Sequence, residues 1–291
     1  MKKILSMMLM LTLILTMVTG CVRMTGSIVA NEDNSINIQT KICYDKKTID
    51  GMKNQDQAIL PSNLSEMKIE TINGKKYYVD EESETYSQKK LKKELPLMLV
   101  DKSRFYYNML LEGSVGDMIS VKDMISQGII KYIGMDVTLQ SDIKKTNGTL
   151  SEDKKTAHWE FNGSKDSKLE WYAYGDGSKY TLKNDRKTVK AAAAKEKEKL
   201  KIAKDKTAPV IKGVVNGKTY KKSVNAYIKD NVKLKSIKLN NKSVKLTNSR
   251  LVKKGKYKNY YKVNVTKKGT NKIIAIDAAG NKKIVTFKIK K

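Results

Sequence analysis

The stretch from Arg186 to Lys204 decides the architecture, because it divides the chain into two parts that must each bury a core. Ala191 to Ala194, followed by Lys195, Glu196, Lys197, Glu198, Lys199 and Leu200, is high in helix propensity. Such a run is a semi-rigid, partly helical spacer rather than a flexible tether. Helical throughout, about 20 residues at roughly 1.5 Å each hold two domains on the order of 30 Å apart. Charge changes at the same place. The 291 residues carry 59 basic and 30 acidic side chains, net +29. Residues 21–185 hold 24 basic against 25 acidic, residues 186–204 hold 8 against 2, and residues 205–291 hold 25 against 3, or +22. A near-neutral body precedes a strongly cationic end, and the length suits two domains of ordinary size.

The chain opens with Lys2 and Lys3, an apolar run from Ile4 to Val18, and then Thr19, Gly20 and Cys21. Basic, apolar and small-residue regions in that order read as a secretory signal. The closing residues Val18 to Cys21 resemble the lipobox of bacterial lipoproteins. That resemblance implies that residues 1–20 are removed and that Cys21 carries a lipid holding the protein on the outer side of a membrane. An ordinary cleaved signal and an uncleaved span of marginal length are the alternatives. No second long apolar run follows, so nothing else should span a bilayer. With Cys21 lipidated, Cys43 has no partner for an intrachain disulfide, and one His with two Cys excludes a Cys/His zinc site.

In the body, Ser27 to Ala30 followed by Ile36, Ile38, Thr40 and Ile42 at period two predicts a hairpin. Cys43 falls on its polar face with Asn37, Gln39 and Lys41, as a strand-end filler rather than a reactive thiol. A short helix is expected over Ile49 to Leu60, stopped by Pro61. Met67 to Val79 reads as a second hairpin through Asn73 and Gly74. Thr85 and Gln88 in capping-box spacing predict a helix over Lys89 to Leu95, which Pro96 ends. Glu81, Glu82 and Glu84 would then stand before a helix N-terminus, favoured by its dipole rather than by chemistry. Leu97 to Leu111 is expected to hold a strand. Ser120 and Asp123 start a short helix, and Ile129 to Leu139 forms a core strand.

From Tyr132 to Tyr174 the order is an extended segment at Met135 to Leu139, a turn at Asn147 and Gly148, a strand with Trp159, and a last strand with Trp171. This arrangement, with the hairpin after Cys21, resembles the LppM family of bacterial lipoproteins over most of residues 21–185. The family pattern carries a proline before the turn, where this chain has Leu139 and Gln140. The resemblance implies an α+β domain tethered at the envelope and, in some members, association with lipid-like molecules. It implies no catalytic residues. Alternation puts Ala157, Trp159 and Phe161 on one face and Leu169, Trp171 and Ala173 on another. Trp159 and Trp171 could therefore line a lipid cavity, although a packed Trp pair in a core is the commoner arrangement.

Catalytic signals are thin. Gly175, Asp176, Gly177 and Ser178 lack the strand and helix context of a phosphate loop and read as a turn. His158 has no Ser or Cys partner at a recognisable spacing. The expectation is a binding protein with no cofactor, not an enzyme.

The last part, residues 205–291, has Asp205 to Ile211, Val214 to Gly217, Val224 to Asp230, Ile237 to Asn240, Gly269 to Ile273 and Asp277 to Asn281 at regular spacing. It resembles the bacterial Ig-like domains of surface proteins, and short alternating strands argue separately for an all-β sandwich. Asp205, Asp230 and Asp277 are its only acids and could meet at one pole. Three carboxylates can bind Ca²⁺, but Asp in turns has a reason of its own, so no metal is expected.

The excess of 55 Lys over 4 Arg partly reflects coding bias and the guarding of sheet edges. It does not explain a neutral body beside a basic end. Nucleic acid is a poor partner, since the chain is exported and lacks Arg forks and interleaved aromatics. Lys point charges suit diffuse attraction to anionic envelope material. Two functions follow. The first is a lipid-anchored adaptor whose cationic domain grips anionic wall polymer or a surface partner. The second is a lipid carrier with a cavity in the body.

Overall fold

The computed structural model describes residues 22–52, 61, 63–112, 130–162 and 169–290. They fall into two compact units, residues 1–197 and 198–291, and both are mostly β.

In the first unit, β1 (Val22–Ala30) and β2 (Ile36–Asp45) pair antiparallel, with Val22 opposite Tyr44 and Ala30 opposite Ile36. Alternation sends Ile36, Ile38 and Ile42 inward and leaves Asn37 and Gln39 exposed. β3 (Lys68–Ile72) and β4 (Lys75–Tyr86) form the second hairpin. Its turn has φ +49° at Asn73 and +76° at Gly74, the left-handed pair a two-residue loop of this kind needs. β7 (Ile130–Thr138) lies parallel to β1. With β9 (Thr149–Leu150) and β10 (Thr156–Phe161) the sheet order is β3-β4-β2-β1-β7-β10-β9, which makes β1 an interior strand.

A second sheet runs β5-β6-β11-β8, from β5 (Met98–Asp101), β6 (Arg104–Asn108), β8 (Ile143–Thr146) and β11 (Glu170–Gly175). One core joins the two sheets: Ile28, Ile42, Val137 and Trp159 from the first meet Val100, Phe105, Ile143, Trp171 and Ala173 from the second.

Several local expectations change. The helix placed at Ile49 begins earlier, as α1 (Lys46–Met52), because the Asp45 carboxylate accepts from the Thr48 amide at 2.9 Å. Its remainder, residues 53–60, lies outside the described residues. Thr85 is no cap: it pairs with Asn37, and burial of Tyr86 keeps β4 extended to that point. The cap of α2 (Gln88–Glu94) is Ser87, whose hydroxyl accepts from the Lys90 amide at 3.3 Å. Glu81, Glu82 and Glu84 accordingly stand on a strand. The single strand expected over Leu97 to Leu111 is the β5–β6 hairpin, turned where Asp101 accepts from the Ser103 amide, followed by α3 (Met109–Glu112). The helix expected at Ser120 lies outside the described residues. With helices this short, the expected α+β body is a mainly β one.

The charged run is a continuous helix, α4 (Leu182–Lys204), of 23 residues. It is not a free spacer along its whole length. Asp185, Val189 and Ala193 are buried at intervals of four, one stripe down one face, and Val189 and Ala193 pack with Leu97 and Tyr106 of the body.

The second unit has two sheets. One runs β12-β14-β17, from β12 (Val210–Lys212), β14 (Val224–Lys229) and β17 (Tyr261–Val265). The other runs β13-β19-β18-β15-β16, from β13 (Thr219–Tyr220), β15 (Leu234–Leu239), β16 (Lys242–Val244), β18 (Gly269–Asp277) and β19 (Lys282–Ile289). Ile211, Ala226, Ile228 and Val263 of the first sheet share a core with Ile237, Ile273, Val285 and Phe287 of the second.

Candidate functional site

The two tryptophans meet across the sheets of the body. Their ring centroids are 6.0 Å apart at 21°, Phe105 lies 5.4 Å from Trp159, and Tyr107 lies 6.4 Å from Trp171. Both are buried, and the ring faces are occupied by one another and by these neighbours. The Asn147–Gly148 turn is part of the same assembly. Trp159 Nε1 donates to Asn147 Oδ1 at 2.8 Å, the Tyr172 amide donates to the same oxygen at 3.1 Å, and Asn147 Nδ2 donates to the Glu170 carbonyl at 2.7 Å. One side chain thus clasps β10 to β11. Only glycine fits beside it, since a Cβ at Gly148 would lie 2.6 Å from the His158 carbonyl oxygen and 2.7 Å from the Trp159 ring. Asn147→Ala strands the buried indole N–H and is expected to cost about 1–3 kcal/mol, measured by urea unfolding followed through tryptophan fluorescence. A loss within error would show that the clasp is dispensable.

A cavity of about 350 Å³ in the same unit is lined by Gln39, Glu66, Lys68, Asp80, Glu81 and Ser83 among others. Such side chains suit a polar occupant rather than an acyl chain. Cys43 lies on the face the pattern assigns, but Tyr77 and Val79 cover it. Burial pushes its thiol up, which disfavours the reactive thiolate.

His158 sits in a row of polar groups on the outer face of the first sheet. Its Nδ1 is 2.7 Å from Asp136 Oδ1 and its Nε2 is 3.2 Å from Glu160 Oε1, while the Tyr132 hydroxyl donates to Glu160 at 2.9 Å. Burial works to lower the imidazole, but the two carboxylates outweigh it and hold it above its usual value. Both ring nitrogens are engaged by carboxylates, an arrangement unlike that of a base facing a nucleophile.

In the second unit Asp205, Asp230 and Asp277 do converge. All three are buried, and one carboxylate oxygen from each lies within 4.8 Å of the others. Asp205 follows α4, Asp230 follows β14, and Asp277 ends β18. Asp205 Oδ1 accepts from the Thr207 amide at 2.9 Å and Asn231 Nδ2 at 3.1 Å. Asp230 Oδ2 accepts from the Val232 and Lys233 amides, each at 2.8 Å. Asp277 accepts from the Asn281 amide at 2.7 Å and from its Nδ2 at 2.9 Å, and that Nδ2 also reaches the Asp205 carbonyl at 3.0 Å. Asn231 and Asn281 were not singled out by sequence. Their nearness to Asp230 and Asp277 in the chain was the available signal.

Burying these acids leaves the exposed charged side chains of residues 206–290 all basic. Every Lys and Arg between residues 206 and 290 is exposed. Three tyrosines also gather there: Tyr227 stacks on Tyr257 at 4.0 Å, Tyr260 lies 5.7 Å from Tyr257, Lys256 stands over Tyr257 and Lys229 over Tyr260. Pattern reading missed this mixture of aromatic and cationic groups, because β14 and the loop before β17 supply it from separate parts of the sequence.

No family model matches the chain, and no curated protein matches it. Among solved structures it is similar to the folded domain of LppM from Mycobacterium tuberculosis, at 9% identity and a TM-score of 0.30, over 56% of this chain and 95% of that one. It is also similar to an endo-β-1,4-mannanase from Thermotoga petrophila, at 13% identity and a TM-score of 0.22. That match covers 41% of this chain and 28% of the mannanase, so the chain spans under a third of the enzyme's length.

Proposed function

We propose that this is a non-catalytic envelope protein, lipid-anchored through Cys21 on the outer side of a membrane, whose cationic C-terminal unit holds an anionic polymer. In this reading the body is an LppM-like domain with its helices subordinate to its sheets, and the two sheets of the second unit form an Ig-like sandwich. One observation carries the proposal. From residue 206 to 290 every basic side chain is exposed while Asp230 and Asp277 are buried, so this stretch offers polyanions a surface without a repelling carboxylate side chain. The tyrosines among the lysines add apolar faces against which a sugar or polyol backbone can rest.

Lipid carriage gains no support from Trp159 and Trp171, which fill the core themselves. The test is sedimentation of residues 22–291 with isolated cell walls. The protein is expected to pellet at low salt and to leave the wall as ionic strength rises past about 0.15 M, where screening shortens to about 8 Å. A companion chain ending at Lys204 should stay in solution throughout. Retention that ignores salt, or that survives removal of the second unit, would sink the idea.

A further inference from the structure

The acidic cluster of the second unit does work that its turn hydrogen bonds do not account for. We infer that Asp205, Asp230 and Asp277 hold a calcium ion, which ties the end of α4 to the turns that follow β14 and β18.

Three carboxylates withdrawn from water, with oxygens within 4.8 Å of one another, repel strongly unless a cation sits among them. The unit is rich in lysine, yet none of the three acids forms an ion pair with a described residue. Every lysine from 206 to 290 is instead turned to solvent.

Hydrogen bonding points the same way as charge. Asp230 is nine-tenths buried, and its Oδ1 has no hydrogen-bond partner at all. The turn amides of Val232 and Lys233 both go to the other oxygen, Oδ2. Turn formation therefore explains one oxygen of Asp230 and leaves the other, a buried acceptor, for something the polypeptide does not supply. Orphaned acceptors of this kind are uncommon in native interiors and need a reason.

The donor set names the cation. It is all oxygen, and residues 205–291 contain neither His nor Cys, which disfavours zinc and other softer metals. Two oxygens on one Ca²⁺, each at 2.3–2.6 Å, can stand up to about 5 Å apart, whereas Mg²⁺ at 2.0–2.1 Å spans only about 4 Å. A spread within 4.8 Å falls inside the reach of the larger ion, whose flexible coordination also accepts an irregular donor set better than the near-ideal octahedron that Mg²⁺ demands. Backbone carbonyls and water can complete the six to eight ligands that calcium takes.

Position gives the ion a role. Asp205 directly follows the helix, and its carbonyl already receives Asn281. A shared ion adds a link from that same residue to both turns, so the start of the second unit is stiffened when calcium is present. The proposal stands whether or not the unit binds a polymer.

The experiment uses the full chain in detergent, stripped with chelator and titrated with CaCl₂ by calorimetry, with thermal unfolding and trypsin digestion alongside. One site per chain is expected, filled below about 1 mM as in other extracellular modules. Calcium should raise the melting temperature by several degrees and slow cleavage around Lys204 and Lys206 about tenfold. Asp230→Asn and Asp277→Asn should each weaken uptake at least about tenfold, and the metal-free Asp230→Asn protein should melt no lower than metal-free wild type, since it has lost a repelling charge. No uptake up to about 10 mM overturns the proposal. So does an equal response to Mg²⁺. Uptake unchanged in both variants places the ion elsewhere and equally overturns it.

Discussion

Trp171→Ala is expected to lower the stability of the body by about 3–5 kcal/mol, the cost typical of deleting a fully buried indole. Trp171 is 1% exposed, and its ring lies where both sheets contribute aromatic side chains. Truncation removes more than its own burial. Trp159 loses the face it stacks on, Tyr107 loses its tilted partner, and the rigid strands on either side cannot move in to fill the space. Domains of this size have about 5–15 kcal/mol in total, so the variant should sit near its unfolding threshold at physiological temperature. Urea midpoints followed through the remaining Trp159 would measure the change. Trp171→Phe keeps most of the volume and should cost markedly less. A loss under about 1 kcal/mol for the alanine variant would mean that the site collapses freely and that the pair is not a rigid joint.

Asp185→Ala is expected to be comparably damaging, about 3–5 kcal/mol, because it breaks a buried ion pair on one side only. Asp185 is 2% exposed on the first turn of α4. Its Oδ1 is 3.2 Å from Arg104 Nη1, and its Oδ2 accepts from the Tyr174 hydroxyl at 3.0 Å. Burial first, and then the Asp185 charge, push the Tyr174 phenol far above its usual value, so it stays a donor at any physiological pH. Removing the carboxylate leaves that donor stranded and leaves Arg104 with Asp101 Oδ2, 2.9 Å from its Nη2, and the face of the Tyr180 ring, whose centroid is 3.7 Å from its Cζ. The double variant Arg104→Met with Asp185→Leu should recover only the part of the loss that comes from the unpaired Arg104 charge, because the Tyr174 hydroxyl stays without its acceptor; adding Tyr174→Phe should recover more. If Asp185→Ala alone leaves both the melting curve and the trypsin sensitivity of α4 unchanged, the helix is not held to the body through this contact.

Features set by neighbours in the chain were legible in the sequence. Asn73 and Gly74 specify their turn through backbone conformation alone, and the alternation of Ile36, Ile38 and Ile42 identifies the buried face of β2 without knowledge of what covers it. Thr85 misled because a capping pattern is cheap to satisfy, whereas the burial of Tyr86 that holds β4 extended depends on the opposite sheet. The parallel pairing of Val22 to Val29 with Ile130 to Thr138 left no local trace, since more than a hundred residues separate the strands. The buried stripe of α4 was hidden for another reason. It consists of an aspartate, a valine and an alanine, so hydrophobic periodicity is nearly silent where the helix meets the body.

The candidate site divides in the same way. Meeting of the three aspartates could be anticipated, because they are the only acids available and each stands at a predicted turn or junction. The orphaned Oδ1 of Asp230 could not, since it depends on which oxygen the turn amides choose. Asn147 looked like a turn residue and is also the acceptor for an indole on another strand. A pattern assigns one role per position, and the folded chain gives this side chain three partners.

The position of β1 has a mechanical consequence. Val22, the first described residue, already belongs to an interior strand, gripped by β2 along one side and β7 along the other. Tension applied at the N-terminal end and drawn along the strand axis loads both ladders in shear, so their hydrogen bonds must fail together and not one after another as in a peeled hairpin. A chain held at that end would have to break both ladders at once before β1 could leave the sheet.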